Sequence, residues 1–121
     1  MRLKRFSLKI SKKILPFTKT IKVDADKSIS IRSFLIAAIS QNISVARNIL
    51  ESDDIFSTIN CLKKLGVKIK KLKSKHYLIY GKGLGSLNLK KNAKLNFGNS
   101  GTLARLLIGI LSTTPGITVN I

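Results

Sequence analysis

Two short runs of sequence place a basic side chain one helical turn beyond a group of small polar residues. The first run spans residues 26–32 and ends in Arg32, and the second spans residues 98–105 and ends in Arg105. The first turn of a helix carries unpaired backbone N–H groups and a partial positive charge, so it can bind an anion. Two such runs in one small chain predict a ligand that carries both phosphate and carboxylate groups.

In the first run, helical spacing places Ser28 and Arg32 on one face, with Lys27 at the mouth of the helix and Asp26 or Ser28 as its N-cap. The Ser28 hydroxyl and the nearby N–H groups can hold an oxyanion. Arg32 can bind two oxygens at once, whereas Lys27 contributes a mobile point charge. A capped helix with an outward-facing arginine is also common for purely structural reasons, so this run alone leaves both interpretations open.

In the second run, Gly101 allows a ligand to approach the backbone closely. Asn99, Ser100 and Thr102 add short polar groups, and Arg105 follows one turn later. The run is not a P-loop, because the Gly-x-x-x-x-Gly-Lys-Ser/Thr pattern is absent. Taken alone, this run too is as consistent with an ordinary capped helix as with a binding site.

The distribution of charge limits the chemistry of the second half of the chain. The 121 residues carry a net charge of +18, and all five acidic residues lie between positions 24 and 54. Residues 55–121 therefore supply neither a pair of acid/base carboxylates nor a carboxylate metal site. The single cysteine, Cys61, excludes a disulfide framework and is expected to be a buried helix residue. The charge favours an anionic partner, although lysines that only solvate the surface would give the same composition.

The periodicity of apolar residues predicts the elements that position these runs. The expected strands are 21–23, 43–49, 67–72, 77–80, 95–97 and 117–121, and the expected helices are 28–40, one capped by residues 52–54 and stopped by Gly66, and 101–111. The order β-α-β-α-β-β, followed by the start of a repeat, predicts an α/β unit with helices packed on one face of a sheet. Residues 1–20 form a basic, acid-free leader region, and residues 21–121 form one partial domain. The last expected strand ends at Ile121, which suggests the front part of a longer protein.

No apolar run approaches the roughly 20 residues that a membrane span needs, and residues 1–20 lack the apolar stretch of a secretory signal. A cytoplasmic location without membrane contact is therefore the expectation.

Four segments, taken together and in this order, resemble the family of 5-enolpyruvylshikimate-3-phosphate synthases, also called 3-phosphoshikimate 1-carboxyvinyltransferases. They are Asp-Lys-Ser-Ile-Ser-Ile-Arg (26–32), Leu-Glu-Ser-Asp-Asp (50–54), Leu-Gly-Val (65–67) and Gly-Asn-Ser-Gly-Thr-x-x-Arg (98–105). The likeness extends over residues 21–121 and covers only the amino-terminal part of a family member. It implies an incomplete βαβαββ repeat unit of the inside-out α/β barrel, the fold of enolpyruvyl transferases.

The resemblance implies transfer of the enolpyruvyl group from phosphoenolpyruvate to the 5-hydroxyl of shikimate 3-phosphate, with release of phosphate, in aromatic amino acid biosynthesis. In such a family member Lys27 is catalytic and touches both substrates, and Ser28 and Arg32 help it to bind shikimate 3-phosphate. The family uses no cofactor and no metal. A full-length member is expected to be a monomer whose partners are these two anionic substrates, and neither nucleic acid nor membrane.

The same resemblance assigns the second run to phosphoenolpyruvate. Gly101 would form part of that site together with Lys27, and three side chains would shape it: Asn99, Thr102 and Arg105. Fixed cations and N–H donors suit a reaction of two polyanions that passes through a cationic carbon and a tetrahedral ketal phosphate.

The chain departs from the family pattern at two places, and several of the family's functional elements are expected beyond the given residues. Asp24-Ala25 replaces the usual Pro-Gly before the first run, and Ile31 stands where His or Asn is usual. The family's arginine-rich phosphoenolpyruvate loop, catalytic carboxylates and second substrate-binding lysine would follow Ile121. The chain is therefore expected to bind shikimate 3-phosphate weakly and to turn over nothing alone.

Three alternatives remain at this point. A related UDP-N-acetylglucosamine enolpyruvyl transferase fragment would share the fold, but its usual Lys-Asn-Ala segment is replaced by Lys27-Ser28. A basic nucleic-acid-binding module would explain the charge, but it predicts exposed aromatic residues between the basic ones. A non-catalytic remnant, stable only with a partner chain that supplies the missing repeats, is the third.

Overall fold

The computed structural model describes residues 18–21, 23–90 and 93–119, together with positions 7, 9, 11 and 16. Most of the predicted leader region, 1–20, lies outside the described residues. Three helices and three strands follow one another: α1 (Lys27–Ile39), β1 (Ile43–Arg47), α2 (Asp53–Lys64), β2 (Lys68–Lys73), β3 (His76–Tyr80) and α3 (Gly101–Leu111).

The three strands form an antiparallel sheet in the order β1-β3-β2. Val45 of β1 pairs with Leu78 of β3, and Ile69 of β2 pairs with Ile79. Along β3 the inward residues Tyr77 and Ile79 are buried, whereas Val45 on the opposite face of the sheet is half exposed. This alternation leaves one face of the sheet for the helices and the other for solvent.

The helices pack over the inner face of the sheet. Helix α1 contacts β1, β3 and both other helices, and α2 contacts β2. Their apolar sides meet in one core with β3, in which the ring of Phe34 lies edge-on to Tyr77, 5.3 Å between centroids. The largest fully buried side chains are Phe34, Ile31, Ile55, Leu62, Leu65, Ile79, Leu103 and Leu107.

The predicted helices and the hairpin are confirmed. Helix α3 has the predicted bounds, and α1 and α2 differ from the prediction by a residue or so at their ends. Gly66 ends α2 with φ +87°, a left-handed conformation that suits glycine. The turn at Ser74-Lys75 joins β2 to β3 as expected.

Three of the strand predictions fail in the described residues. Residues 95–97 and 117–119 belong to no strand, and neither do Ile21 and Val23; residues 22, 120 and 121 lie outside the described part. Leu95 and Phe97 are nonetheless buried. Alternating burial alone therefore does not identify a strand, which also requires backbone hydrogen bonds to a neighbouring strand.

The strand predicted for residues 43–49 ends early, at Arg47. Asn48 has φ +57°, which turns the chain out of the extended conformation. The chain then runs through residues 49–52 into α2.

The carboxylate of Glu51 joins the segment 49–52 to the β2–β3 hairpin by hydrogen bonds and an ion pair. Its Oε1 atom accepts hydrogen bonds from the Tyr77 hydroxyl at 2.7 Å and from the Lys75 backbone N–H at 3.0 Å. Lys71 Nζ lies 2.8 Å from the same oxygen. One acidic side chain thereby joins the segment before α2 to both strands of the hairpin.

This arrangement predicts an acid-sensitive stability. The hydrogen bonds from Lys71, then Tyr77 and Lys75, lower the pKa of Glu51 from its ordinary 4.5 to about 2. A depressed pKa in the folded state stabilises the fold at pH values above 4.5, and this contribution is lost as the pH falls from about 4.5 to about 2. Urea unfolding of Glu51→Gln between pH 2 and 6 should therefore show a much flatter acid limb than the unmodified chain. An Asp24→Asn control should retain that limb, and an equally steep limb in Glu51→Gln would contradict the assignment.

Candidate functional site

The start of α1 is fixed by two side chains of the first run. Asp26 is the N-cap, and its Oδ1 atom accepts a hydrogen bond from the Ile29 N–H at 2.7 Å. The Ser30 hydroxyl donates to the Asp26 carbonyl at 2.6 Å and accepts from the Leu50 N–H at 3.0 Å. Asp26 rather than Ser28 is therefore the cap, and the helix start is joined to the chain that follows β1.

Lys27, Ser28 and Arg32 lie on the first turns of α1, as predicted. Ser28 is half-buried and Arg32 is exposed. The Lys27 ammonium lies 3.0 Å from Asp54 Oδ2 on the first turn of α2, with side-chain exposures of 52% and 10% respectively. This partner was not predictable from the sequence, because a carboxylate in the first turn of a helix is already explained by the helix dipole.

The second run forms a tight turn before α3. Gly98 has φ +59°, and its N–H donates to Asn96 Oδ1 at 2.8 Å. The Ser100 hydroxyl accepts a hydrogen bond from the Leu103 N–H at 3.3 Å, and the residue is almost fully buried. Ser100 is thus the N-cap of α3, and its hydroxyl accepts a hydrogen bond within the helix start.

The other predicted residues of this run surround the start of α3. Asn99 and Gly101 are exposed, and Thr102 is half-buried. The exposed Arg105 side chain folds back toward the helix start, since a Cβ placed on Gly101 would lie 3.4 Å from Arg105 Nη1. A glycine backbone, a helix start and a guanidinium group therefore share one patch of surface, which can bind an anion.

Both runs border the first turn of α2. Lys27 contacts Asp54, and a Cβ on Gly98 would lie 3.0 Å from Ser57 Oγ. Asp54 and Ser57 are three residues apart and so lie on the same side of α2. Helix α1 also packs against both α2 and α3. Both runs therefore contact one side of α2 near its N-terminus.

Two cavities lie at the end of β1, and one of them borders Asp26, Ile29 and Ser30 of the first run. One, of about 710 Å³, is lined by residues 23–25, 47–48 and 74–76. The other, of about 440 Å³, lies beside residues 23–26, 29–30, 33 and 45–49. Neither includes Lys27, Arg32 or Gly101, so neither encloses both runs.

Cysteine and metal chemistry find little support in the described residues. Cys61 is buried in α2, as predicted, and its thiol donates to the Asn96 carbonyl at 3.2 Å. Burial raises the pKa of this thiol, which disfavours the nucleophilic thiolate. Among the residues that the structure describes, no cluster of His, Cys, Asp or Glu could hold a metal ion. The described helices also include none that is long and apolar enough to cross a membrane.

A family model described as EPSP synthase (3-phosphoshikimate 1-carboxyvinyltransferase) matches residues 11–120. The chain belongs to the EPSP synthase family. The sequence resemblance is therefore confirmed.

Relatives and solved structures agree with this membership. The chain is 37% identical over 111 residues to a 3-phosphoshikimate 1-carboxyvinyltransferase of Syntrophomonas wolfei, covering 92% of this chain and 26% of that protein. It is 45% identical over 96 residues to the Bacillus cytotoxicus protein of the same name, covering 79% and 22%. An EPSP synthase structure from Acinetobacter baumannii superposes with a TM-score of 0.69 at 35% identity, covering 78% of this chain and 21% of that one.

These matches establish the fold of the chain and the share of its relatives' length that it covers. The chain has the α/β fold of EPSP synthases, as predicted, and it spans about a quarter of the length of the curated relatives it matches. Ile31, which stands where His or Asn is usual in the family, is fully buried in the core beneath α1.

Proposed function

We propose that this chain supplies part of the substrate site of an enolpyruvyl transferase that acts on shikimate 3-phosphate and phosphoenolpyruvate. The observation that carries the proposal is that both runs contact one side of α2 near its N-terminus, Lys27 at Asp54 and Gly98 at Ser57. Membership of the EPSP synthase family supports the choice of these two substrates.

The start of α1 is assigned to shikimate 3-phosphate. Arg32 is exposed one turn after Ser28, so a guanidinium and a hydroxyl can reach the same phosphate group. Lys27 uses one of its three N–H donors on Asp54 and keeps the others for substrate oxygens. These groups bind and orient the acceptor substrate.

The start of α3 is assigned to phosphoenolpyruvate. Gly101 has no side chain to block the approach of a carboxylate or phosphate to the helix start. Arg105 lies over the same place, and Asn99 and Thr102 lie beside it. A ligand between the two runs would contact Lys27 as well as Gly101.

In the proposed reaction, the 5-hydroxyl group of shikimate 3-phosphate loses its proton as its oxygen attacks C2 of phosphoenolpyruvate, while C3 gains a proton. The resulting tetrahedral ketal then loses phosphate from C2 and a proton from C3, which gives the enol ether. The cations at Lys27, Arg32 and Arg105 would stabilise the negative charge of both substrates and of the leaving phosphate. The chain spans only about a quarter of the length of the curated relatives it matches, so we expect it to release no phosphate from the two substrates alone.

Binding of shikimate 3-phosphate tests the proposal without requiring turnover. Isothermal titration calorimetry should show saturable binding to the chain, and Arg32→Ala should weaken it roughly tenfold to hundredfold, since a charge-assisted pair is lost. Arg47→Ala is the matched control, because Arg47 is also exposed but lies at the end of β1.

Two results would contradict the assignment. Equal losses in Arg32→Ala and Arg47→Ala would show that only net charge matters. Binding of random DNA with a steep salt dependence, without any response to shikimate 3-phosphate, would favour a nucleic-acid-binding module. Shikimate without its phosphate should bind more weakly than shikimate 3-phosphate.

A further inference from the structure

The Lys27 ammonium is held by a carboxylate that is itself nearly enclosed by the protein. The Lys27 side chain is 52% exposed, whereas that of Asp54 is only 10% exposed, at a separation of 3.0 Å. A lysine side chain has four rotatable bonds and loses considerable conformational entropy when it is fixed. The less mobile partner, Asp54, therefore determines where the ammonium lies.

The backbone that carries Asp54 is fixed in the core. The next residue, Ile55, is fully buried, and the fully buried Thr58 donates its hydroxyl hydrogen to the Asp54 carbonyl at 2.8 Å. Ser57, on the same turn of α2, lies against Gly98 of the second run. One rigid turn thus contacts both anion-binding runs.

We infer that Asp54 is a positioning residue, which acts through Lys27 to hold the ammonium between the two runs. The inference rests on the proposed function and extends it to a residue that does not touch substrate. The inference predicts the direction in which ligand affinity changes when Asp54 is replaced. A carboxylate near an anion site repels the ligand, so removal of its charge alone should strengthen binding. Loss of a positioning group should weaken binding instead.

The test compares two carboxylates on the same turn of α2. Asp54→Asn should weaken binding of shikimate 3-phosphate about tenfold, because the lysine must be ordered by the ligand alone. Asp53→Asn removes the same charge from the exposed neighbouring position and should leave binding unchanged or slightly stronger. Calorimetry at constant salt measures both, and thermal unfolding followed by circular dichroism reports whether each variant is folded.

A double-mutant cycle with Lys27→Gln separates positioning from a general structural effect. Without the ammonium, Asp54→Asn should no longer weaken binding, since it acts through Lys27. A loss in Asp54→Asn that persists in the double variant would overturn the inference. Equal affinity of Asp54→Asn and the unmodified chain would overturn it as well, whereas no binding by the unmodified chain would contradict the proposed function itself.

A measurement on the unmodified chain covers the case in which Asp54→Asn does not fold. Reductive methylation followed by mass spectrometry reports how freely each lysine reacts. Lys27 should react several-fold more slowly than Lys63, an exposed lysine on α2, because its Nζ atom is paired with Asp54 Oδ2 at 3.0 Å and is less accessible to the reagent. Equal rates for the two lysines would show that Asp54 does not hold Lys27 in solution.

Discussion

Replacing Phe34 with alanine is expected to lower the free energy of unfolding by about 3–5 kcal/mol. Phe34 is fully buried where α1 crosses the sheet, and its ring packs edge-on against Tyr77. Removal of the ring leaves a cavity among residues from α1 and β3, which have little room to collapse into it. Small domains are stable by only about 5–15 kcal/mol, so this loss is a large fraction of the total.

Phe56→Ala provides the matched control. Phe56 lies on α2 and is 45% exposed, so its truncation removes the same atoms with less lost burial. Urea denaturation at neutral pH should give a loss clearly smaller than that of Phe34→Ala. Similar losses for the two variants would show that α1 does not form the centre of the core.

The second large effect is expected at Gly98, for which alanine should cost about 1–3 kcal/mol. Gly98 has φ +59°, where a Cβ atom is strained, and that Cβ would lie 3.0 Å from Ser57 Oγ. Strain at Gly98 would displace Asn99 and Gly101, which follow it in the second run and belong to the proposed substrate site. Weaker binding should accompany the loss of stability.

Gly109→Ala is the control and should have the opposite sign. Gly109 lies inside α3, and a Cβ there meets nothing within 4 Å. Alanine in a helix interior is favoured over glycine by roughly 0.5–1 kcal/mol, so this variant should be stabilised. Thermal unfolding of both variants measures the contrast. Combining Gly98→Ala with Ser57→Ala should recover the steric part of the loss but not the part due to φ, and a neutral Gly98→Ala alone would contradict the turn.

The helices were predictable because their signals are local. In α2, Ile55, Ile59 and Leu62 recur on one face, and Gly66 supplies the stop. The hairpin was predictable for a similar reason, since two alternating segments flank the short turn at Ser74-Lys75. The spacing of apolar residues and the residues of a tight turn are local features, so both can be read from the sequence.

The missing strands and the site partners depend on contacts between distant residues. The alternating apolar residues Leu95 and Phe97 predicted a strand. Both side chains are buried, but neither residue belongs to the three-stranded sheet of the described part of the chain. Ser100 is one of three short polar residues in the second run. Only the packed helix start shows that its hydroxyl caps α3. The Lys27–Asp54 pair joins residues of two helices, and nothing in the spacing of either run indicates it.

The central claim is that the two runs bind the two substrates side by side, and an NMR titration tests it most directly. Shikimate 3-phosphate and then phosphoenolpyruvate are added to the ¹⁵N-labelled chain, and the backbone amide signals are followed residue by residue. We expect saturable shifts at Ser28 and Arg32 of the first run with the first ligand, and at Gly101 and Thr102 of the second run with the second ligand. Shifts confined to one run with both ligands, or shifts spread over the lysines of β2 without saturation, would contradict the account.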